Sequence, residues 1–195
     1  MKKPLKNRYF LLRHGKNIHQ TIKKDIFYHY PDDNPPCHLI DEGVEQAKDA
    51  GIYLKNKNID LIISSDILRA KETADIVSEE IGYGKEIRLE KRLRDINWGI
   101  FGGKTIKEGW DFYNNDTKKR FSIAPENGET WNNCKERIVE VLGELEAKFN
   151  KKNILIVSHG DPLWLLEGYV CEKNEDELAC ERKGKIIAPG EIREL

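Results

Sequence analysis

Four side chains with the chemistry of a phosphate site come from three separate parts of this sequence. Arg13 and His14 are adjacent, Arg69 lies in the second quarter of the chain, and His159 lies in the last. A guanidinium offers a planar fork of donors that matches phosphate oxygens, and a neutral imidazole can be a nucleophile. Four such groups repel one another unless an anion lies among them. The residue types therefore indicate phosphoryl transfer through a phosphohistidine.

The elements that would bring these side chains together are predicted strands. Three short apolar runs precede the four residues, and long amphipathic segments separate the runs, which read "YFLL" (9–12), "DLIIS" (60–64) and "NILIVS" (153–158). This pattern is typical of a mostly parallel sheet covered by helices on both faces. The carboxyl ends of parallel strands share one edge, where ligands bind. We therefore expect a three-layer α/β/α sandwich with the four residues at one edge.

The helices are predicted from apolar residues that recur at intervals of three and four. The stripes are Val44, Ala47, Gly51 and Leu54; Ile67, Ala70, Ala74, Val77 and Ile81; and Trp131, Cys134, Ile138, Val141, Leu145 and Phe149. A short helix is expected after Gly160, with Pro162 in its first turn. Residues 86–89 and the closing "GEIREL" are predicted edge strands, whereas 17–40 and 97–129 are predicted to be irregular.

Composition limits the classes of partner. The 195 residues favour one domain, 1–195, and 33 basic against 34 acidic residues give a net charge of −1. This balance gives no electrostatic reason to expect nucleic acid or an anionic membrane surface as a partner. No apolar run is long enough for a membrane span, and no signal peptide is apparent, so we expect a cytoplasmic protein. The sequence leaves the oligomeric state open.

The four cysteines are expected to be reduced thiols. They form no C-x-x-C pair, and Cys134 falls on the apolar stripe of a predicted helix. Residues with metal-binding side chains also occur in the proline-rich stretch 17–40, namely His19, His29, Asp32, Asp33, Cys37 and His38. Their spacing matches no metal-binding pattern, so the sequence predicts no metal site.

Three motifs in order resemble the histidine phosphatase superfamily, which comprises cofactor-dependent phosphoglycerate mutases and related phosphatases. They are "RHG" (13–15), "SSDILRAKETA" (64–74) and "VSHG" (157–160), each at a predicted strand end. The resemblance covers roughly residues 9 to 168 and implies a phosphoglycerate mutase-like fold. It implies that His14 is the phosphorylated nucleophile, and that Arg13, Arg69 and His159 line the phosphate pocket.

The resemblance also implies a general acid in a loop after the edge strand. In "LRDINWG" (93–99), Asp95 stands where the family more often has Glu, and it would protonate the leaving oxygen and then activate water. Further candidate acids are Glu126, Glu129 and Asp161.

The first motif departs from the commoner family pattern. Lys16 alters the charge at the rim of the predicted site, whereas Asn17 and Gln20 retain donors for phosphate oxygens. Gly160 would allow backbone and ligand to approach closely.

The resulting hypothesis is a metal-independent phosphomonoesterase that needs no cofactor and acts on a small phosphorylated substrate, with a phosphoprotein left open. Two alternatives remain. One is a phosphoglycerate mutase-type phosphotransferase, although mutases of this type tend to be longer. The other is a phospho-ligand-binding module that has lost turnover, which the substitutions at Lys16, Gln20, Asp95 and Gly102 make conceivable. The identity of the natural substrate is not readable from the residues.

Overall fold

A five-stranded sheet forms the centre of the fold, in a computed structural model that describes residues 2–195. Its strands are β1 (Arg8–Arg13), β2 (Leu61–Ser64), β3 (Arg88–Leu89), β4 (Asn153–Ser158) and β5 (Ile192–Glu194). Their spatial order is β3-β2-β4-β1-β5, and only β5 is antiparallel to its neighbour. The mostly parallel sheet is confirmed, with the two short predicted strands at its edges.

Helices cover both faces of the sheet, which confirms the three-layer sandwich. They are α1 (His19–Ile22), α2 (Asp41–Leu54), α3 (Leu68–Glu80), α4 (Ile106–Phe112), α5 (Trp131–Lys148), α6 (Gly160–Val170) and α7 (Glu175–Lys185). Side chains of β1 alternate between the two layers. Phe10 and Leu12 pack with α2 and α3, whereas Tyr9 and Leu11 pack with α5 and α6. This alternation follows from the two-residue period of a strand.

The region 97–129 is more regular than expected. It contains α4, flanked by 3₁₀ turns at Gly99–Phe101 and Thr117–Phe121. Helix α4 begins with a capping box, in which the Thr105 side chain accepts a hydrogen bond from the Glu108 backbone and Glu108 bonds back to Thr105. This local signal was readable in the sequence. The prediction of an irregular segment was wrong here because it relied on the glycines around α4.

Helix α7 lies in the downstream segment for which the sequence offered no motif. A second capping box, between Asn174 and Glu177, begins this helix, and the buried Leu178 anchors it to the core. All four cysteines are free thiols, as expected. Across residues 2–195, none of the helices combines the length and the apolar character that a membrane span requires.

Candidate active site

The carboxyl edge of the sheet brings the four predicted residues together. Arg13 ends β1 and His14 follows it, while His159 follows β4, the neighbouring strand. Arg69 lies in the first turn of α3, just beyond β2. The rings of His14 and His159 have centroids 5.1 Å apart, and Arg69 Nε donates to His14 Nε2 at 3.3 Å. The strand-end reasoning is therefore confirmed for the placement of these side chains.

The backbone fixes the tautomer of His14. Its Nδ1 lies 2.8 Å from the carbonyl oxygen of Gly15, which can only accept, so Nδ1 carries the hydrogen. Burial, followed by the charges of Arg69 and Arg13, lowers the pKa of His14 well below its ordinary value. The ring is thus neutral at physiological pH, and Nε2 carries the lone pair that a nucleophile needs, which accepts the hydrogen bond from Arg69 until a substrate takes that donor.

His159 is a second neutral imidazole beside the first. Burial, then the charge of Arg69, lowers the pKa of His159 as well. Its Nε2 pairs with the Ser65 hydroxyl at 2.9 Å, and its Nδ1 has no hydrogen-bond partner among residues 2–195. That free nitrogen lies 3.8 Å from the nearer oxygen of Asp95. A buried polar atom without a partner is rare, and this one is available to a ligand oxygen.

Two carboxylates hold the guanidinium of Arg69. Its Nη1 donates to Asp32 at 3.0 Å and its Nη2 to Asp95 at 3.3 Å. The ring of Tyr28 lies across it, with its centroid 4.2 Å from the guanidinium carbon. Arg69 is fully buried, so these partners compensate its charge within the protein. A phosphate that binds Arg69 must therefore compete with Asp32 and Asp95.

Asp95 lies on a loop that α5 holds in place. Arg137 donates to the backbone carbonyls of Arg92, Arg94 and Asp95, and Glu129 accepts from the same guanidinium at 2.7 Å. Burial raises the pKa of Asp95, and the charge of Arg69 opposes the shift. A carboxyl group that retains its proton to higher pH is suited to the role of general acid.

A cavity of about 240 Å³ opens beside this loop. Charged groups in its wall are Arg13, Lys24, Asp95, Asp161 and Arg182, and its aromatic residues are Phe27, Tyr28 and Trp98. Neither His14 nor Arg69 lines it. Arg69 contacts two residues of its wall, Asp95 and Tyr28, and His14 is linked to the wall through Arg69.

The predicted phosphate-binding residues divide into two groups. Gly160 and Gln20 line the cavity, and a Cβ on Gly160 would lie only 3.3 Å from the guanidinium of Arg13. Asn17 is fully buried and exchanges hydrogen bonds with the Tyr28 hydroxyl at 3.0 and 3.1 Å. Asn17 therefore reaches the cavity only through Tyr28 and Gln20, with which it also exchanges hydrogen bonds, and it is a positioning residue in this arrangement.

The other candidate acids have other partners. Glu129 is bound to Arg137 and accepts from the backbone N–H of Asn97 at 2.9 Å. Asp161 lines the cavity but pairs with Arg182 at 3.0 Å and accepts from the indole of Trp131. Glu126 is exposed and does not line the cavity. Of the four candidate acids, Asp95 alone combines contact with Arg69 and a raised pKa.

Sequence reasoning missed several residues of the site. Asp32 and Arg182 approach it from a proline-rich loop and from α7, and neither belongs to a motif. Arg137 was missed because only the fold shows that it supports the Asp95 loop. Ser65 stood inside the second motif, directly after the strand, and this position was a usable signal.

Comparison with known proteins agrees with this geometry. A match to the histidine phosphatase superfamily (branch 1) spans residues 9–181. The chain belongs to this superfamily. A 2,3-bisphosphoglycerate-dependent phosphoglycerate mutase from Parvibaculum lavamentivorans is 28% identical over 166 residues, covering 80% of this chain and 76% of the relative.

Two solved structures show how widely the superfamily fold is shared. A mycobacterial glucosyl-3-phosphoglycerate phosphatase has a TM-score of 0.80 at 21% identity, covering 96% of this chain and 88% of the other. YhfR of Bacillus stearothermophilus has a TM-score of 0.78 at 24% identity, covering 96% of this chain and 90% of YhfR. Membership of the superfamily indicates a phosphoryl-transfer enzyme, and its members include both mutases and phosphatases.

Proposed function

We propose that this protein hydrolyses a small phosphomonoester through a phosphohistidine on His14, with no metal in the phosphoryl-transfer step. The observation that carries the proposal is the state of His14. Its ring is neutral, its hydrogen lies on Nδ1, and its Nε2 faces the guanidinium of Arg69. The guanidinium supplies the positive charge that a transferring phosphoryl group requires.

The reaction has two steps. In the first, Nε2 of His14 forms a bond to phosphorus, the bond from phosphorus to the substrate oxygen breaks, and Asp95 gives its proton to that oxygen. In the second, Asp95 accepts a proton from water, the water oxygen bonds to phosphorus, and the N–P bond breaks. Inorganic phosphate leaves, and both residues return to their starting states.

Arg13, Arg69 and His159 are proposed to bind the phosphoryl oxygens. Within the part of the chain that the structure describes, Arg13 has a buried Nε without a hydrogen-bond partner, and His159 has a free Nδ1. These unsatisfied atoms support the proposal because a phosphate would satisfy them. Gln20, at the cavity wall, would contact the substrate further from phosphorus.

The proposal is tested by rapid quench with labelled phosphomonoester. An acid-labile, base-stable phosphoenzyme is expected within the first turnover, and His14→Ala should abolish both the label and the turnover. The control variant is His38→Gln, which changes an exposed histidine paired with Glu72. Near-normal turnover in His14→Ala would refute the assignment. Release of the leaving group without any phosphoenzyme would favour direct hydrolysis instead.

A mutase is the second candidate, because many curated relatives carry that name. In a mutase the phosphoryl group returns from His14 to a bound monophosphate instead of passing to water. Incubation with 3-phosphoglycerate and a trace of 2,3-bisphosphoglycerate separates the two reactions. We expect release of inorganic phosphate from phosphomonoesters and little formation of 2-phosphoglycerate. Turnover of neither kind, with phosphate ligands still bound, would indicate a binding module.

A further inference from the structure

Four metal-binding side chains gather in the loop between β1 and α2, although their sequence spacing gave no sign of it. They are His19, His29, Asp33 and Cys37. Asp33 lies at the centre, with its Oδ2 2.7 Å from His19 Nδ1 and 3.5 Å from Cys37 Sγ. Its Oδ1 lies 3.0 Å from His29 Nδ1. The donor atoms of His19, Asp33 and Cys37 all lie within 4.8 Å of one another.

The hydrogen-bond partners of His19 require positive charge within this cluster. Its side chain is buried, and both ring nitrogens face acceptors. Nε2 lies 2.7 Å from the carbonyl oxygen of Ile26, which fixes the hydrogen on that nitrogen. A neutral imidazole has only one N–H. Nδ1 faces the Asp33 carboxylate at 2.7 Å, so a positive charge belongs between them, and either a second ring proton or a metal ion held by the gathered donors can supply it.

We propose that His19, His29, Asp33 and Cys37 form a binding site for one Zn²⁺ ion. Two imidazoles, a thiolate and a carboxylate are ligands of the type that zinc selects, and four of them complete its tetrahedral shell. The hydrogen bond from Nε2 of His19 to a backbone carbonyl is the supporting contact that zinc-bound histidines usually make. The proton of Cys37 passes to solvent when the metal binds.

The donors must move apart to admit the ion. Zn–N and Zn–O bonds of roughly 2.0–2.2 Å and a Zn–S bond of about 2.3 Å require the donors to separate slightly from their hydrogen-bonded distances. The His29 side chain is 58% exposed and is therefore free to adjust. Lys23 lies 3.5 Å from Asp33 and would have to withdraw into solvent, where its side chain already lies 47% exposed.

The zinc would fix one wall of the active-site cavity without touching the phosphoryl group. The ring of His19 stacks on Tyr28, with centroids 3.9 Å apart, and Tyr28 covers Arg69. Asp32, the neighbour of Asp33, is the ion-pair partner of Arg69. The ion would therefore hold in place two residues that position the guanidinium. The proposal stands independently of whether the enzyme is a phosphatase or a mutase.

The test uses the full chain, stripped of metal and titrated with Co²⁺ and with Zn²⁺ against a chelator of known affinity. One equivalent is expected to bind, and Co²⁺ should give a thiolate charge-transfer band together with the visible bands of a tetrahedral site. Cys37→Ser should abolish the thiolate band and weaken Zn²⁺ binding by about 100-fold or more. His19→Gln should weaken binding similarly.

Matched controls lie outside the cluster. Cys180→Ser alters the exposed cysteine of α7, and His38→Gln alters an exposed histidine of the same loop. Both should bind Zn²⁺ as the parent protein does. Circular dichroism checks that each variant is folded, and Cys37→Ser, which is nearly isosteric, keeps the test valid if His19→Gln unfolds. The proposal is overturned if the folded parent takes up no equivalent of Zn²⁺ at micromolar concentration, or if the thiolate band survives in Cys37→Ser.

Discussion

Replacing Asp95 by asparagine separates its chemical role from its structural one. Asparagine has nearly the same shape as aspartate. Its amide oxygen can still accept a hydrogen bond from Arg69, whose Nη2 lies 3.3 Å from the Asp95 carboxylate in the parent protein. It cannot give a proton to a leaving oxygen. The loop should keep its position, because Arg137 holds it through backbone carbonyls that the substitution does not touch. The variant therefore removes the proton donor and leaves the loop that carries it in place.

The expected loss depends on the leaving group. An alkoxide is a strong base and needs a proton as the P–O bond breaks, so turnover of alkyl phosphates should fall by roughly 10²–10⁴-fold, or about 3–5 kcal/mol of activation free energy. Nitrophenolate is a weak base and leaves with little help from a proton. The rate at which p-nitrophenyl phosphate phosphorylates the enzyme should therefore fall by less than about tenfold. Dephosphorylation also needs Asp95, so a burst of nitrophenol followed by a slow phase is expected.

The pH dependence gives an independent check on the same group. Because burial raises the pKa of Asp95, its proton is present below that pKa and is lost as pH rises through it. The kcat/KM for alkyl phosphates should therefore fall on the alkaline side in the parent enzyme. In Asp95→Asn this alkaline limb should disappear, because no carboxyl group remains to titrate there.

Stopped-flow measurement with both substrate types checks the assignment. Comparison variants are Asp161→Asn, Glu129→Gln and Glu126→Gln, which alter the other candidate acids. The reasoning is refuted if Asp95→Asn slows both substrates equally and slightly while one of these variants shows the dependence on leaving group. The acid would then lie at that other position.

Three further predictions concern the surroundings of the site. Asp32→Asn should tighten inhibition by inorganic phosphate or vanadate several-fold, because a carboxylate no longer competes for Arg69; unchanged inhibition constants would contradict this. Arg137→Met should lower kcat about tenfold or more with little change in KM, since the loop bearing the acid loses its three carbonyl contacts; an altered KM at constant kcat would argue against a positioning role. Burial lowers the pKa of His14 and His159 in the folded protein. At pH values below the ordinary histidine pKa, the unfolded chain therefore binds more protons than the folded protein does. The free energy of unfolding, measured by urea titration, should fall as pH drops below about 6.5; a free energy that stays constant there would contradict this.

The placement of the nucleophile could be predicted because it follows from local patterns. The apolar run before Arg13 predicted a strand, and parallel strands must end at one edge, so the positions of His14 and His159 followed from topology alone. The stripes of α2, α3 and α5 were readable because each helix buries one face. These predictions needed no knowledge of which loop contacts which.

The contacts of Asp32, Arg182 and the His19–Asp33–Cys37 cluster could not be predicted in this way. Asp32 and the cluster depend on the path of an irregular segment, and Arg182 depends on where α7 packs, and no hydrophobic period encodes either. The proline-rich stretch 17–40 returns across Arg69 through contacts between distant residues, and sequence spacing does not report distance in such a loop. The capping boxes of α4 and α7 were different, since their signals were local and were overlooked.

The position of β1 between β4 and β5 has a consequence for folding. This strand carries Arg13 and leads into His14, yet its two partners, β4 and β5, come from the last quarter of the chain. During synthesis on the ribosome, the segment that ends in the nucleophile therefore emerges long before the strands that flank it. Non-local pairing of this kind slows folding and leaves apolar strands exposed meanwhile. The phosphate site can consequently assemble only after β4 and β5 have been made, and β1 stays an unpaired apolar segment until then.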